Sequence, residues 1–230
     1  MAGQDTANID GQEHIVSAPG PLSCLSRLRR RWRRDGARRD AVHRLYAAVV
    51  EQSRQPTFYA DWGVPDSREG RLEMLNLHAM LLMRRLRSEG HEGRAVAQAL
   101  FDLMFLDLDR HLREWGVGDL SVGKHVKKLA QSFFGRAAAL DPLLTTRDGA
   151  GIEEVLRRNV YSDGQAPPQS AVTRLAEYLL RQETWLEGSD GSTIVDGLVT
   201  FARPVTHDAD HADRAAAKSR CDVDRLRPRS

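Results

Sequence analysis

Apolar residues recur three and four positions apart over two long consecutive stretches, and strict two-residue alternation is almost absent. In the first stretch Leu72, Leu75, Ala79, Leu82, Met83 and Leu86 keep this step until Gly90 interrupts it. In the second, from Arg94, the apolar residues are Leu100, Phe101, Met104, Phe105, Leu108 and Leu112. A step of three and four belongs to a helix with one face on a core, whereas a half-buried strand needs a step of two. The second stretch is apolar around so much of its circumference that it is predicted to run near the centre of a bundle.

Other segments extend the pattern. Val42, Leu45, Tyr46, Val49 and Val50 line one face from Asp40 until Pro56 stops the helix. Phe58, Tyr59 and Trp62 then crowd a short loop and are expected to fold back onto the helices. Asp66, with Glu69 three residues on, resembles a capping box opening the first long helix. Shorter helices are predicted near residues 152–160, 171–187 and 193–201, and no sheet is expected. The fold class is therefore all-α, a single multi-helix bundle domain with flexible N- and C-terminal tails. The expected boundaries are 1–37 for a disordered N-terminus with a basic arm, 38–204 for the helical domain and 205–230 for a disordered tail poor in large apolar residues.

Charge sharpens the division. Eight arginines between residues 27 and 39 face only Asp35, so this segment carries +7 while the rest of the chain sums to −5. Leu25, Leu28 and Trp32 would form a narrow apolar stripe on a helix here. Arg27, Arg29, Arg30, Arg31, Trp32, Arg33 and Arg34 are thus candidates for contact with an anionic membrane surface, or with a polyanion such as ribosomal RNA. A solvated basic arm is the plain alternative. No apolar run approaches the roughly 20 residues that span a bilayer, and the N-terminus lacks the pattern of a secretory or transit peptide. The expected location is cytoplasmic, peripheral at the inner face of the cell membrane. Cys24 and Cys221 fall in the tails and build neither a disulfide framework nor a metal knuckle.

The most suggestive chemical motif runs from Gly118 to Lys124 and matches most of a phosphate-binding P-loop. Such a loop needs a strand in front and a hydroxyl after the lysine. Here a helical pattern precedes it, His125 replaces the hydroxyl, and Asp119 places a carboxylate where phosphate would sit. The bundle reading explains more: a glycine turn, Ser121 as a helix cap, and a helix with Val122, Val126, Leu129 and Phe133 inside and Lys124, Lys127 and Lys128 outside. Asp107 and His111 stand four apart on one helix face, but Asp102 and Asp109 project elsewhere, so surface ion pairs are expected rather than a metal site. The His207, Asp208, Asp210 and His211 cluster reads as tail. No catalytic constellation, cofactor motif or metal site is assigned.

Several loop motifs, in order along residues 40 to 204, resemble the ubiquinol-cytochrome c chaperone family. They are FYxxxxVPD beginning at Phe58, the Gly70 and Arg71 pair, GVGDL ending at Leu120, FxGR from Phe133 to Arg136, and LVTFARP ending at Pro204. One departure is Gly123, where members often carry proline in the first helical turn. The resemblance implies a bacterial, all-helical, membrane-associated assembly chaperone without catalytic residues. Its implied partner is newly made cytochrome b or an early intermediate of respiratory complex III, ubiquinol-cytochrome c reductase, with a ribosome as a further possible partner and no small-molecule substrate. The candidate partner-binding residues are Tyr59, Trp62, Lys124, Lys127 and Lys128. The alternatives are an RNA- or ribosome-associated adaptor acting through the arginine arm, and a nucleotide-binding enzyme using the Gly118 to Lys124 loop.

Overall fold

Side-chain oxygens of Ser67, Asp148 and Asp190 accept backbone N–H groups at the starts of three of the helices. The computed structural model describes the backbone of residues 21–114, 119–162 and 167–205, with side chains from residue 36 onward except 119 and 120. The described residues form eight helices and no strand: α1 (Pro21–Ser53), α2 (Pro56–Ala60), α3 (Arg68–Arg87), α4 (Gly90–Glu114), α5 (Asp119–Thr146), α6 (Gly149–Asn159), α7 (Gln169–Glu187) and α8 (Gly191–Val195). The chain divides into two compact units, Met1–Gly36 and Ala37–Ser230. Helix α1 begins at Pro21, well before the apolar period that starts at Asp40.

The central element is α3, not α4. Twelve of its residues are buried, including an unbroken run from Asn76 to Met83. Helix α4 buries one face and leaves Leu106 60% exposed. Sequence periodicity understates α3 because Glu73, Asn76 and His78 read as solvent positions, yet all three are buried. The cap of α3 also differs from expectation. Ser67, not Asp66, is the N-cap, its hydroxyl accepting from the Gly70 amide at 3.1 Å. Asp66 is left to accept from Arg71 at 2.6 Å. Gly70 is constrained here, since a Cβ at that position would stand 2.0 Å from the Pro65 carbonyl oxygen.

A polar chain crosses the core. The His78 ring is fully buried. Its Nδ1 lies 2.7 Å from the Met74 carbonyl, which can only accept, so Nδ1 carries the proton. Nε2 therefore accepts from the Tyr178 hydroxyl at 2.7 Å, and that hydroxyl accepts from Gln52 at 2.8 Å. Gln52 also donates to the Ala202 carbonyl at 3.1 Å, and Gln182 donates to the same oxygen. One chain of bonds thus ties α1, α3 and α7 to the segment after α8. Burial lowers the His78 pKa to about 4, so the ring is neutral near pH 7.

Around this chain pack Phe58 and Trp62, whose rings meet edge-on at 5.4 Å and each meet Tyr178, at 5.1 and 5.6 Å. Edge-to-face pairs of this kind add about 0.5–1.5 kcal/mol each beyond the area they bury. Arg84 closes the far end of α3: it donates to Glu183 of α7 at 2.6 Å, to Thr145 of α5 at 2.9 Å, and to Asp141 of α5. Three helices are therefore tied at one guanidinium.

Candidate functional site

Helices α1, α3, α4 and α5 do not close fully against one another, and the space between them is an open cleft of about 900 Å³. Each wall follows from helical spacing. Tyr46 and Val50 lie four apart on α1 and share a face, with Arg54 just past its end; Leu72, Leu75 and Asn76 share a face on α3, and Leu108, His111 and Leu112 on α4. His125, Lys128 and Leu129 of α5 complete the lining. The floor is mainly apolar, and the rim carries arginine, lysine and histidine.

Asp107 is anchored from two sides. The Tyr46 hydroxyl donates to its Oδ2 at 2.7 Å, and His111 Nδ1 is 3.6 Å from the same oxygen while donating to the Asp107 carbonyl at 2.9 Å. Burial, reinforced by that carboxylate, pushes the Tyr46 pKa up, so the phenol stays protonated as a donor. Asp102 and Asp109 are engaged on their own helix: Asp102 accepts from Gln98 at 2.8 Å and Asp109 from Arg113 at 2.7 Å. Among the described residues no three potential ligands converge on a metal position.

Of the residues expected to contact a partner, Lys128 lines the cleft, while Lys124 and Lys127 are exposed on the same helix. Tyr59 sits at the opposite edge. Its hydroxyl donates to the carbonyl of Ser53, a lining residue, at 2.7 Å, and the Arg71 guanidinium lies 5.8 Å from its ring centre. Trp62 is not brought there. It is 1% exposed and belongs to the core, so the surface contact expected of it is overturned by its burial. Helix α1 carries Arg27, Arg29, Arg30, Arg31, Trp32, Arg33 and Arg34 on its backbone, but their side chains lie outside the described residues, as do Gly118 and the His207 to His211 cluster.

The phosphate-loop reading gains no support. From Asp119 onward the backbone is helical, so Gly123 and Lys124 lie within α5 rather than in a loop, and Ser121 lies inside the helix rather than capping it. The Gly123 and Lys124 amides are committed to carbonyls of the first turn of α5, so they cannot wrap a phosphate as the successive free amides of a P-loop do.

Sequence reading missed Asn76 and Arg54. The signal for Asn76 was present: an amide interrupting the run from Met74 to Met83 at a position whose neighbours are buried. A second missed pair is Glu73 and Arg136, 3.1 Å apart and nearly buried between α3 and α5. Burial pushes the Glu73 pKa up to about 7, with Arg136 opposing the rise.

The motifs outlined by sequence now have structural meanings. Val64 is core, the Pro65 carbonyl presses on Gly70, Phe133 is core, Arg136 meets Glu73, and Phe201 stacks edge-on against His78 at 5.6 Å. A family model described as ubiquinol-cytochrome C chaperone matches residues 60–201, which contain all of these positions. The chain belongs to the ubiquinol-cytochrome C chaperone family. Curated relatives are named ubiquinol-cytochrome c reductase complex assembly factor 1. The mouse protein is 21% identical over 67% of this chain, and the Xenopus laevis protein 21% identical over 74% of this chain and 84% of its own length. The chain spans only 52% of the mouse protein. A solved structure, the Cbp3 homolog from Brucella abortus, is 34% identical with a TM-score of 0.69, covering 76% of this chain and 96% of that one. The family motifs thus mostly build the scaffold, and the chaperone's cleft is framed by that scaffold.

Proposed function

We propose that this chain is a non-catalytic chaperone for assembly of the ubiquinol-cytochrome c reductase complex. It holds newly made cytochrome b, or an early intermediate containing it, at the inner face of the cell membrane. The observation that carries the reading is the open cleft with an apolar floor in a member of this family. Such a floor matches an apolar client that has not yet reached its place in the bilayer. The relatives' printed names, as assembly factors of the same complex, support the client class. No helix among the described residues is long and apolar enough to cross a membrane. Peripheral contact is assigned to the arginines between residues 27 and 34, facing anionic headgroups. Lys124, Lys127 and Tyr59 flank the cleft as secondary contacts.

Deleting the gene should lower assembled complex III while cytochrome b mRNA stays constant, read by native gel and transcript quantification. A normal level of assembled complex would overturn the proposal.

A further inference from the structure

The cleft holds three groups that the fold itself leaves unused. Asn76 is only 3% exposed, lines the floor, and its side-chain amide has no hydrogen-bond partner among the described residues. Water in the open cleft can still reach this amide, and a partner that seals the cleft without supplying a hydrogen bond would strip it of that water at a cost of about 1–3 kcal/mol. On the rim, Arg54 at the end of α1 and Lys128 on α5 likewise have no ion-pair partner among the described residues. Of the other charges on the lining, Arg71 holds Asp66, Asp107 is held by Tyr46, Arg68 is engaged, and Glu69 is the one further carboxylate, set against the cations Arg54, Arg68, Arg71 and Lys128.

From these groups we infer that the cleft is a docking groove for one amphipathic α-helix of a partner protein. The helix carries an apolar stripe broken by a single hydrogen-bonding residue that meets Asn76, and carboxylates on its flanks that meet Arg54 and Lys128. Charge complementarity selects this occupant. A basic helix would bring like charges against both rim cations, and an acyl chain would leave the Asn76 amide unpaired. The length also fits. His43 to Ser53 on the α1 wall is eleven residues, about 15 Å of helix, enough for roughly three turns of a partner. Helix-in-groove recognition of this kind is read through anchors at i, i+3, i+4 and i+7. The inference deepens the chaperone reading by naming the chemistry of the segment held, and rests on that reading only for the partner's identity.

The test uses the full chain and stapled helical peptides of about four turns, measured by fluorescence anisotropy. One peptide has a leucine stripe, a central Asn and Glu flanks; a second replaces the Glu flanks by Lys; a third replaces the central Asn by Leu. The Glu-flanked peptide should bind about tenfold or more tightly than its Lys-flanked form. The double variant Arg54→Glu with Lys128→Glu should reverse that order. Asn76→Leu should reverse the preference between the Asn and Leu peptides. Because a reversal of preference requires a folded groove, these variants report on the groove and not merely on stability; if the double variant unfolds, Arg54→Gln with Lys128→Gln should instead abolish the charge preference. Equal affinity for Glu- and Lys-flanked peptides, absence of peptide binding, or oleate binding more tightly than any peptide and displacing it would each overturn the proposal. Loss of complex III on gene deletion without peptide preference would remove the groove and leave the chaperone reading. Normal complex III with the preference intact would do the reverse.

Discussion

Lowering the pH should weaken this protein through one buried ring, and the size of the effect follows from the geometry around it. His78 is neutral because its Nδ1 proton is committed to the Met74 carbonyl and Nε2 must stay bare to accept from Tyr178. Its pKa is depressed from 6.5 to about 4. Between those values the unfolded chain binds a proton that the folded chain refuses, so stability is present above pH 6.5 and is lost as pH falls towards 4. At 1.36 kcal/mol per tenfold the full loss is about 3 kcal/mol, of which about 2 falls between pH 7 and 4.5. Glu73 acts in the opposite sense over much of the same window: its folded pKa is raised to about 7, so the folded state gains relative stability as pH falls towards the ordinary carboxyl value. The wild-type profile alone therefore mixes the two. The informative quantity is the difference between wild type and His78→Gln, from which Glu73 cancels, measured by urea unfolding followed by circular dichroism. At pH 7 the wild type should be the more stable, and the gap should narrow by about 2 kcal/mol at pH 4.5. A gap that stays constant to within about half a kcal/mol would refute the assigned tautomer and the neutral state of the ring.

Two further predictions separate scaffold from contact surface. Trp62→Ala should cost about 3–5 kcal/mol of stability, as large-to-small core changes do; a variant with unchanged thermal stability would return Trp62 to the surface role first expected of it. Gly70→Ala should destabilise by about 2 kcal/mol or more, because its Cβ would meet the Pro65 carbonyl oxygen at 2.0 Å. In an unconstrained helix interior the same change stabilises by about 1 kcal/mol, so a rise in melting temperature would refute the close approach.

The sequence pattern carried the helical class, the positions of α3 and α4 and the family, because all three depend on local spacing or ordered motifs; it did not carry the start of α1 at Pro21. It misplaced the centre of the bundle. Helix α3 owes its central position to polar residues satisfied or accommodated far away in sequence: His78 finds Tyr178 100 residues on, and Glu73 meets Arg136. Spacing counts such residues as outward-facing, so α3 looked amphipathic and α4 looked central. Trp62 was misread for a related reason, since a loop rich in aromatics looks the same whether it caps a core or presents a surface. Lys128 was legible as exposed. That it faces Arg54 and the Tyr59 edge across a cleft was not, because the cleft exists only where four helices meet.

The Ala202 carbonyl accepts from Gln52, 150 positions before it, and from Gln182, 20 positions before it, so one atom near the end of the domain fastens α1 to α7. During synthesis from the N-terminus this oxygen emerges after every helix it joins. The row of His78, Tyr178 and Gln52 closes once α7 packs, but Gln52 and Gln182 each keep an unused donor until residue 202 arrives. Truncation before residue 202 would therefore leave two amides of the core, Gln52 and Gln182, each short of an acceptor.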